Sequence, residues 1–172
     1  MFKLETPRLI LRELSTSDAA ASYALNADPL VIKYTGDKAF DSVAEARDFL
    51  SNYDPYTPTN MGRWAVIVKE TGENIGFCGL KYHPETDEVD LGYRLLRKEW
   101  GKGYATEASQ VCLQYGFEVL GLPRIYAQAA LENTASIGVM KKLGMTFVRN
   151  EGDCAGYPSV FYEIRKEDFR KG

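Results

Sequence analysis

The amino-acid sequence predicts a mixed α/β (α+β) domain: a central, mostly antiparallel mixed sheet of about seven strands, flanked by helices on both faces. Three features carry that expectation. Between Trp64 and Leu95, three apolar-rich runs are separated by the turn formers Thr71-Gly72-Glu73-Asn74 and Pro84-Glu85-Thr86-Asp87, the pattern of an antiparallel meander. Past Gly103 the spacing becomes helical, then strand-like, then helical again, before two last strand runs. The 172 residues, 45% hydrophobic and 12% aromatic, supply one substantial core, so a single domain over 1–172 is expected.

Taken in order, residues 8–14 alternate as a first strand. Ser15-Thr16-Ser17-Asp18 offers helix caps, and Ala20, Tyr23, Ala24 and Ala27 follow at helical spacing. Asp28-Pro29 stops that helix, because a residue before proline avoids the helical region. Ser42-Val43-Ala44-Glu45 reads as a capping box opening a second helix to about Tyr53, and Pro55 and Pro58 enforce an irregular loop behind it. The meander strands are expected over 64–69, 75–82 and 89–95. From Thr106 a helix presents Ala108, Val111, Cys112, Tyr115 and Val119 on one face, until Gly121 and Pro123 end it. Residues 124–129 form a strand, 134–143 a helix closed by Gly144, and 145–150 with 159–165 a final strand pair.

Charge and cysteine usage narrow the function classes. The net charge is −3 with no run of basic residues, which disfavours nucleic acid as a partner. Cys78, Cys112 and Cys154 are odd in number and lack a CxxC pair, so reduced thiols in a cytoplasmic protein are expected, with neither a disulfide framework nor a metal site. The opening Met1-Phe2-Lys3-Leu4-Glu5 lacks the apolar core of a signal peptide, and no segment is apolar enough to span a bilayer, so no membrane partner is expected.

The chemistry points to Trp100-Gly101-Lys102-Gly103-Tyr104-Ala105-Thr106-Glu107-Ala108, between a strand and a long helix. Glycines there let successive backbone N–H groups face one point, and the helix N-terminus adds positive potential, a setting for a diphosphate. A tight strand-to-helix turn can also need glycine for steric reasons alone. Other phosphate motifs fit worse: a P-loop needs Ser or Thr where Gly103 stands, and a dinucleotide fingerprint needs a third glycine where Thr106 stands.

The stretch resembles the coenzyme A signature of the GNAT superfamily of N-acetyltransferases, Gln/Arg-x-x-Gly-x-Gly/Ala, here running from Trp100 to Ala105. Glu5-Thr6-Pro7-Arg8-Leu9-Ile10-Leu11-Arg12, Gly76-Phe77-Cys78-Gly79-Leu80, Leu91-Gly92-Tyr93, Glu132-Asn133-Thr134-Ala135-Ser136 and Lys142-Leu143-Gly144-Met145 resemble the branch that acetylates ribosomal-protein N-termini (alanine or serine). The resemblance implies a sheet splayed between its fourth and fifth strands to admit acetyl-CoA as cosubstrate. It implies cofactor contacts at Trp100, Gly101, Lys102, Gly103, Tyr104, Ala105 and Thr106, and at Asn133 and Lys142. It further implies that backbone groups of Tyr93, Arg94 and Leu95 pair with the pantetheine arm and supply the oxyanion donor. Two positions depart from the pattern: Trp100 replaces Gln or Arg, and Met140 stands where many members carry a tyrosine acid. Ser136 is the natural substitute for that acid.

Acetyl transfer to an amine needs a proton acceptor, an oxyanion donor and a departing thiolate. Asp90 ranks first as the acceptor, ahead of Glu88 and Glu132; a solvated or structural role is open for each. Asn133 also reads as a helix N-cap. His83, the single histidine, precedes Pro84 in a turn, and direct transfer needs no histidine. The cysteines lack a partner histidine at useful spacing, so no acyl-cysteine is expected. The expected activity is therefore direct acetyl transfer to a primary amine, a protein N-terminus or a small molecule such as a polyamine, amino acid or aminoglycoside, by a monomer or homodimer. The rival readings are a silent acetyl-CoA sensor, which Met140 permits, and a nucleotide-binding oxidoreductase. Residues 28–41 and 151–158 are the expected specificity loops.

Overall fold

The computed structural model describes residues 1–170. Eight strands form one sheet: β1 (Lys3–Glu5), β2 (Leu9–Glu13), β3 (Arg63–Val68), β4 (Asn74–His83), β5 (Glu88–Leu95), β6 (Arg124–Ala130), β7 (Thr146–Cys154) and β8 (Tyr157–Arg165). Their order across the sheet is β1-β2-β3-β4-β5-β6-β8-β7. The helices are α1 (Ala19–Ala27), α2 (Pro29–Ile32), α3 (Val43–Ser51), α4 (Tyr56–Thr59), α5 (Tyr104–Gln114) and α6 (Thr134–Lys142). All neighbouring strands are antiparallel except β5 and β6, which are parallel. A parallel neighbour needs a crossover that returns the chain to the starting edge, and α5 provides it.

Strand alternation builds the core. Leu9, Leu11, Trp64, Val66, Cys78, Leu80 and Leu91 fall at alternating or cross-paired positions, and all are buried. They join Ala108, Cys112 and Leu113 of α5 and Phe117 just beyond it in one apolar cluster. Burial of each large apolar side chain there stabilises by roughly 1.5–3 kcal/mol. On the other side of the sheet α1 packs on α3 through Ala19, Ala46 and Leu50. Ser15 and Asp18 cap the entry to α1: Asp18 accepts from the Ser15 N–H at 2.9 Å and takes the Arg12 guanidinium on both oxygens at 2.9 Å.

Several elements differ from the sequence expectation. β1 is an added edge strand of three residues, too short to show a period. Pro29 ends α1 but also opens α2 at its first position, where the missing N–H costs nothing; Asp28 caps it by accepting from the Leu30 N–H at 3.0 Å. The Pro55–Pro58 stretch holds the single turn α4, stopped at Asn60 in the left-handed region with φ 57°. α5 starts at Tyr104, two residues before the expected Thr106, and its end widens into a π-turn over Tyr115–Val119. β7 runs on to Cys154, so most of 151–158 is a hairpin, turned at Ala155 and Gly156 with positive φ.

Candidate active site

The β5–β6 contact is a single registered pair, Asp90 with Tyr126. Past that vertex the strands diverge, and the β5 edge from Leu91 to Leu95 has no strand partner on the β6 side. A cleft of about 660 Å³ opens there, walled by the end of β5, α2, the start of α5 and α6. Tyr93, Arg94, Leu95, Trp100, Gly101, Gly103, Tyr104, Ala105 and Thr106 line it from one side, and Asn133, Ser136 and Lys142 from the other.

The glycine turn is shaped by its backbone. Gly101 and Gly103 hold φ of 77° and 84°, conformations that other residues adopt only with strain. No atom lies within 4 Å of the place a Gly101 Cβ would take. Gly103 is the N-cap of α5, so the first N–H groups of that helix have no partner within it and form an anion-binding end. The Trp100 indole N–H donates to the Leu95 carbonyl at 2.9 Å, which fastens the turn to the end of β5 and leaves the ring half exposed beside the cleft. Lys102 does not line the cleft; its ammonium pairs with Glu99 at 3.0 Å. The Arg94 side chain also points away, donating to Asn26 at 2.8 Å and Asp37 at 2.7 Å, so its backbone is what remains for a ligand.

At the inner end a hollow of about 150 Å³ continues between the splayed strands, lined by Leu91, Ala127, Ala129, Met140 and Leu143. Ser136 and Tyr93 reach both spaces. The Tyr93 hydroxyl stands 3.4 Å from Ser136 Oγ as its donor, and the Ser136 N–H is capped by Asn133 Oδ1 at 3.2 Å. Burial pushes the Tyr93 phenol above its ordinary pKa, so it stays a proton donor at neutral pH. Tyr93 thus offers a side-chain role as well as a backbone one, which the sequence reading missed because strand tyrosines are common.

Asp90 lies at the vertex outside this cleft lining. Arg63 Nη2 is 2.8 Å from its Oδ1, though off the hydrogen-bond direction, and His83 Nε2 is 2.8 Å from its Oδ2. Arg63 also donates to the Gly79 carbonyl at 2.9 Å. A Cβ on Gly92 would meet this guanidinium at 2.6 Å. The glycine in Leu91-Gly92-Tyr93 therefore leaves a floor for Arg63, the one signal in the sequence that a bulky group lies flat on β5. The neighbouring Tyr126 phenol is pushed up to about 12 by burial and by the Asp90 charge.

The remaining candidates are placed elsewhere. Glu88 is paired with Arg124, which also bonds Glu163 at 2.9 Å. Glu132 is exposed beyond the end of β6. Cys78 and Cys112 are buried with their sulfurs 3.8 Å apart, and Cys154 lies in the β7–β8 hairpin. Tyr34 and Tyr157, from the two expected specificity segments, meet edge-to-face with centroids 4.9 Å apart, and the Lys33 ammonium lies over both. Among the described residues no cluster of three or more His, Cys, Asp or Glu is placed to hold a metal ion, and no helix is long and apolar enough to cross a membrane.

Known proteins share this architecture. The family model of the acetyltransferase (GNAT) domain matches residues 8–146. N-acetyltransferase p20 of Bacillus licheniformis, itself uncharacterized, is 39% identical over 145 residues, covering 83% of this chain and 82% of the relative. The spermidine N(1)-acetyltransferase of Escherichia coli K12 is 27% identical over 145 residues, covering 79% of this chain and 72% of its own. A GNAT-family acetyltransferase from Bacillus anthracis superposes with a TM-score of 0.80 at 27% identity, over 96% of this chain and 99% of that one. With its sheet parted beside a helix-capping glycine turn, this chain belongs to the GNAT family and is an N-acetyltransferase.

Proposed function

We propose that the protein transfers an acetyl group from acetyl-coenzyme A directly to a primary amine, a protein N-terminus or a small molecule, within a ternary complex. The observation that carries this reading is the turn at Gly101 and Gly103, which opens the N-terminus of α5 into the gap between β5 and β6. The residues fit such a donor: unpaired N–H groups from Gly103 to Thr106 suit a diphosphate, Lys142 adds a cation, and the free β5 edge at Tyr93–Leu95 suits an amide-bearing arm. The bound thioester supplies an activated acetyl carbonyl and a thiolate leaving group.

The chain's own groups divide the remaining work. A backbone N–H on the open β5 edge donates to the carbonyl oxygen as it gains charge. Ser136 passes a proton to the departing sulfur as Tyr93, hydrogen-bonded to it, replaces that proton and regains its own from solvent. Asp90, at the vertex with His83 Nε2 2.8 Å from its Oδ2, takes the proton that the amine must lose through water in the cleft. The three free thiols suit a reducing, cytoplasmic setting. The test is free-thiol release from acetyl-coenzyme A across a panel of amines: spermidine, amino acids, aminoglycosides and peptides with alanine or serine at the N-terminus. Turnover with at least one amine supports the proposal. Tight coenzyme A binding with no turnover across the panel would favour the silent sensor instead.

A further inference from the structure

We infer that Arg8, one residue before β2, is a positioning residue for the anion-binding turn. The inference rests on the proposed donor site. Arg8 lies 94 residues from Lys102 in sequence, yet its Nη1 donates to the Lys102 carbonyl at 2.9 Å. Its Nε faces Glu107 at 3.2 Å, and its guanidinium lies over the Tyr104 ring, 4.4 Å from the centroid. A Cβ on Gly103 would stand 3.3 Å from its Nη2. One planar group therefore touches three of the six residues from Lys102 to Glu107 and lies close over a fourth, Gly103.

The consequence follows from the geometry of a peptide. Within each peptide unit the C=O and the next N–H point in opposite directions. Arg8 fixes the Lys102 carbonyl on its own side of the turn, so the Gly103 N–H of that same peptide points the other way. The ion pair with Glu107 and the stack on Tyr104 hold the first turn of α5 in register with it. Without this clamp the positive-φ glycines at 101 and 103 leave the turn free to reorient, and a binding site that must be ordered on ligand entry binds less tightly. The planar fork is what makes three contacts at once, so lysine at this position keeps the charge and loses the clamp.

The experiment is calorimetric titration with coenzyme A of the wild-type chain, Arg8→Met and Arg8→Lys, with parallel NMR titration of pantetheine, which lacks the diphosphate. Absence of coenzyme A binding by the wild type would sink the donor-site reading itself, separately from this one. With wild-type binding in place, Arg8→Met should weaken coenzyme A by about 10-fold, the scale of one hydrogen bond from a charged donor. Arg8→Lys should weaken it nearly as much, and pantetheine should bind all three alike. Unchanged coenzyme A affinity in Arg8→Met, wild-type affinity in Arg8→Lys, or an equal loss for pantetheine would each overturn the inference. Should Arg8→Met fail to fold, Arg8→Lys, which keeps stem and charge, decides it alone.

Discussion

At the scale of single residues, the cleft concentrates its chemistry in a few atoms. Gly103 holds φ 84° at the start of α5, where a β-branched side chain is strained and its Cβ would crowd Arg8. Gly103→Val should therefore fold with helix content intact and bind coenzyme A at least 10-fold more weakly by calorimetry, since displacing the turn misdirects several N–H groups together. Unchanged affinity would remove the turn from the binding site. Ser136 and Tyr93 make a second test. General-acid help is typically worth about 10²-fold or more, and a weakly basic thiolate requires less. Ser136→Ala and Tyr93→Phe should each lower kcat by about 3- to 30-fold with coenzyme A affinity and thermal stability nearly unchanged. If both variants turn over at the wild-type rate where chemistry limits, the thiolate leaves unaided.

Among the elements, the junction of β2 with α1 depends most on a buried charge. Asp18 is 3% exposed, and burial alone would raise its pKa. The Arg12 guanidinium, the Ser15 N–H and the Asn74 amide outweigh that and hold it below the usual carboxylate value. A depressed folded pKa stabilises the fold above the unfolded value near 4, and that contribution is lost as pH falls through the lower folded value. Asp18→Asn should cost about 2–3 kcal/mol at pH 7, discounted for the third of Arg12 that remains in solvent. The penalty should shrink in urea unfolding as pH falls below the unfolded carboxylate value near 4 and through the lower folded one. A penalty independent of pH would mean that shape, and not charge, is what Asp18 contributes.

Over the whole molecule, the thiols sit away from the cleft. Cys78 and Cys112 are fully buried between β4 and α5, where burial pushes the Cys112 thiol well up, and Cys154 is in the distal hairpin. A covalent acetyl-enzyme has no exposed nucleophilic sulfur lining the cleft to form on. Mass spectrometry of the protein mixed with acetyl-coenzyme A, before amine is added, should show no acetyl adduct that chases into product. An adduct on any of the three cysteines that does so would replace direct transfer with a two-step route.

The sequence by itself determined the order of the longer helices and strands, the place of the glycine turn and the family. Those properties depend on local periodicity, on caps such as Ser42 and Asn133, and on the backbone demands of Gly101 and Gly103. What only the tertiary structure decided are the pairings across distance. Arg63 belongs with Asp90 and His83, Arg8 with the turn 94 residues on, and Tyr93 with Ser136. Arginines and strand tyrosines carry no period that announces a partner, and the partner is fixed by which strands the sheet sets side by side. The short β1 and the turn α4 were illegible for a related reason: three or four residues complete no repeat, so packing against β2 and capping at Asn60 decide them. The fold was written in local spacing, and the site was assembled by contacts that local spacing does not encode.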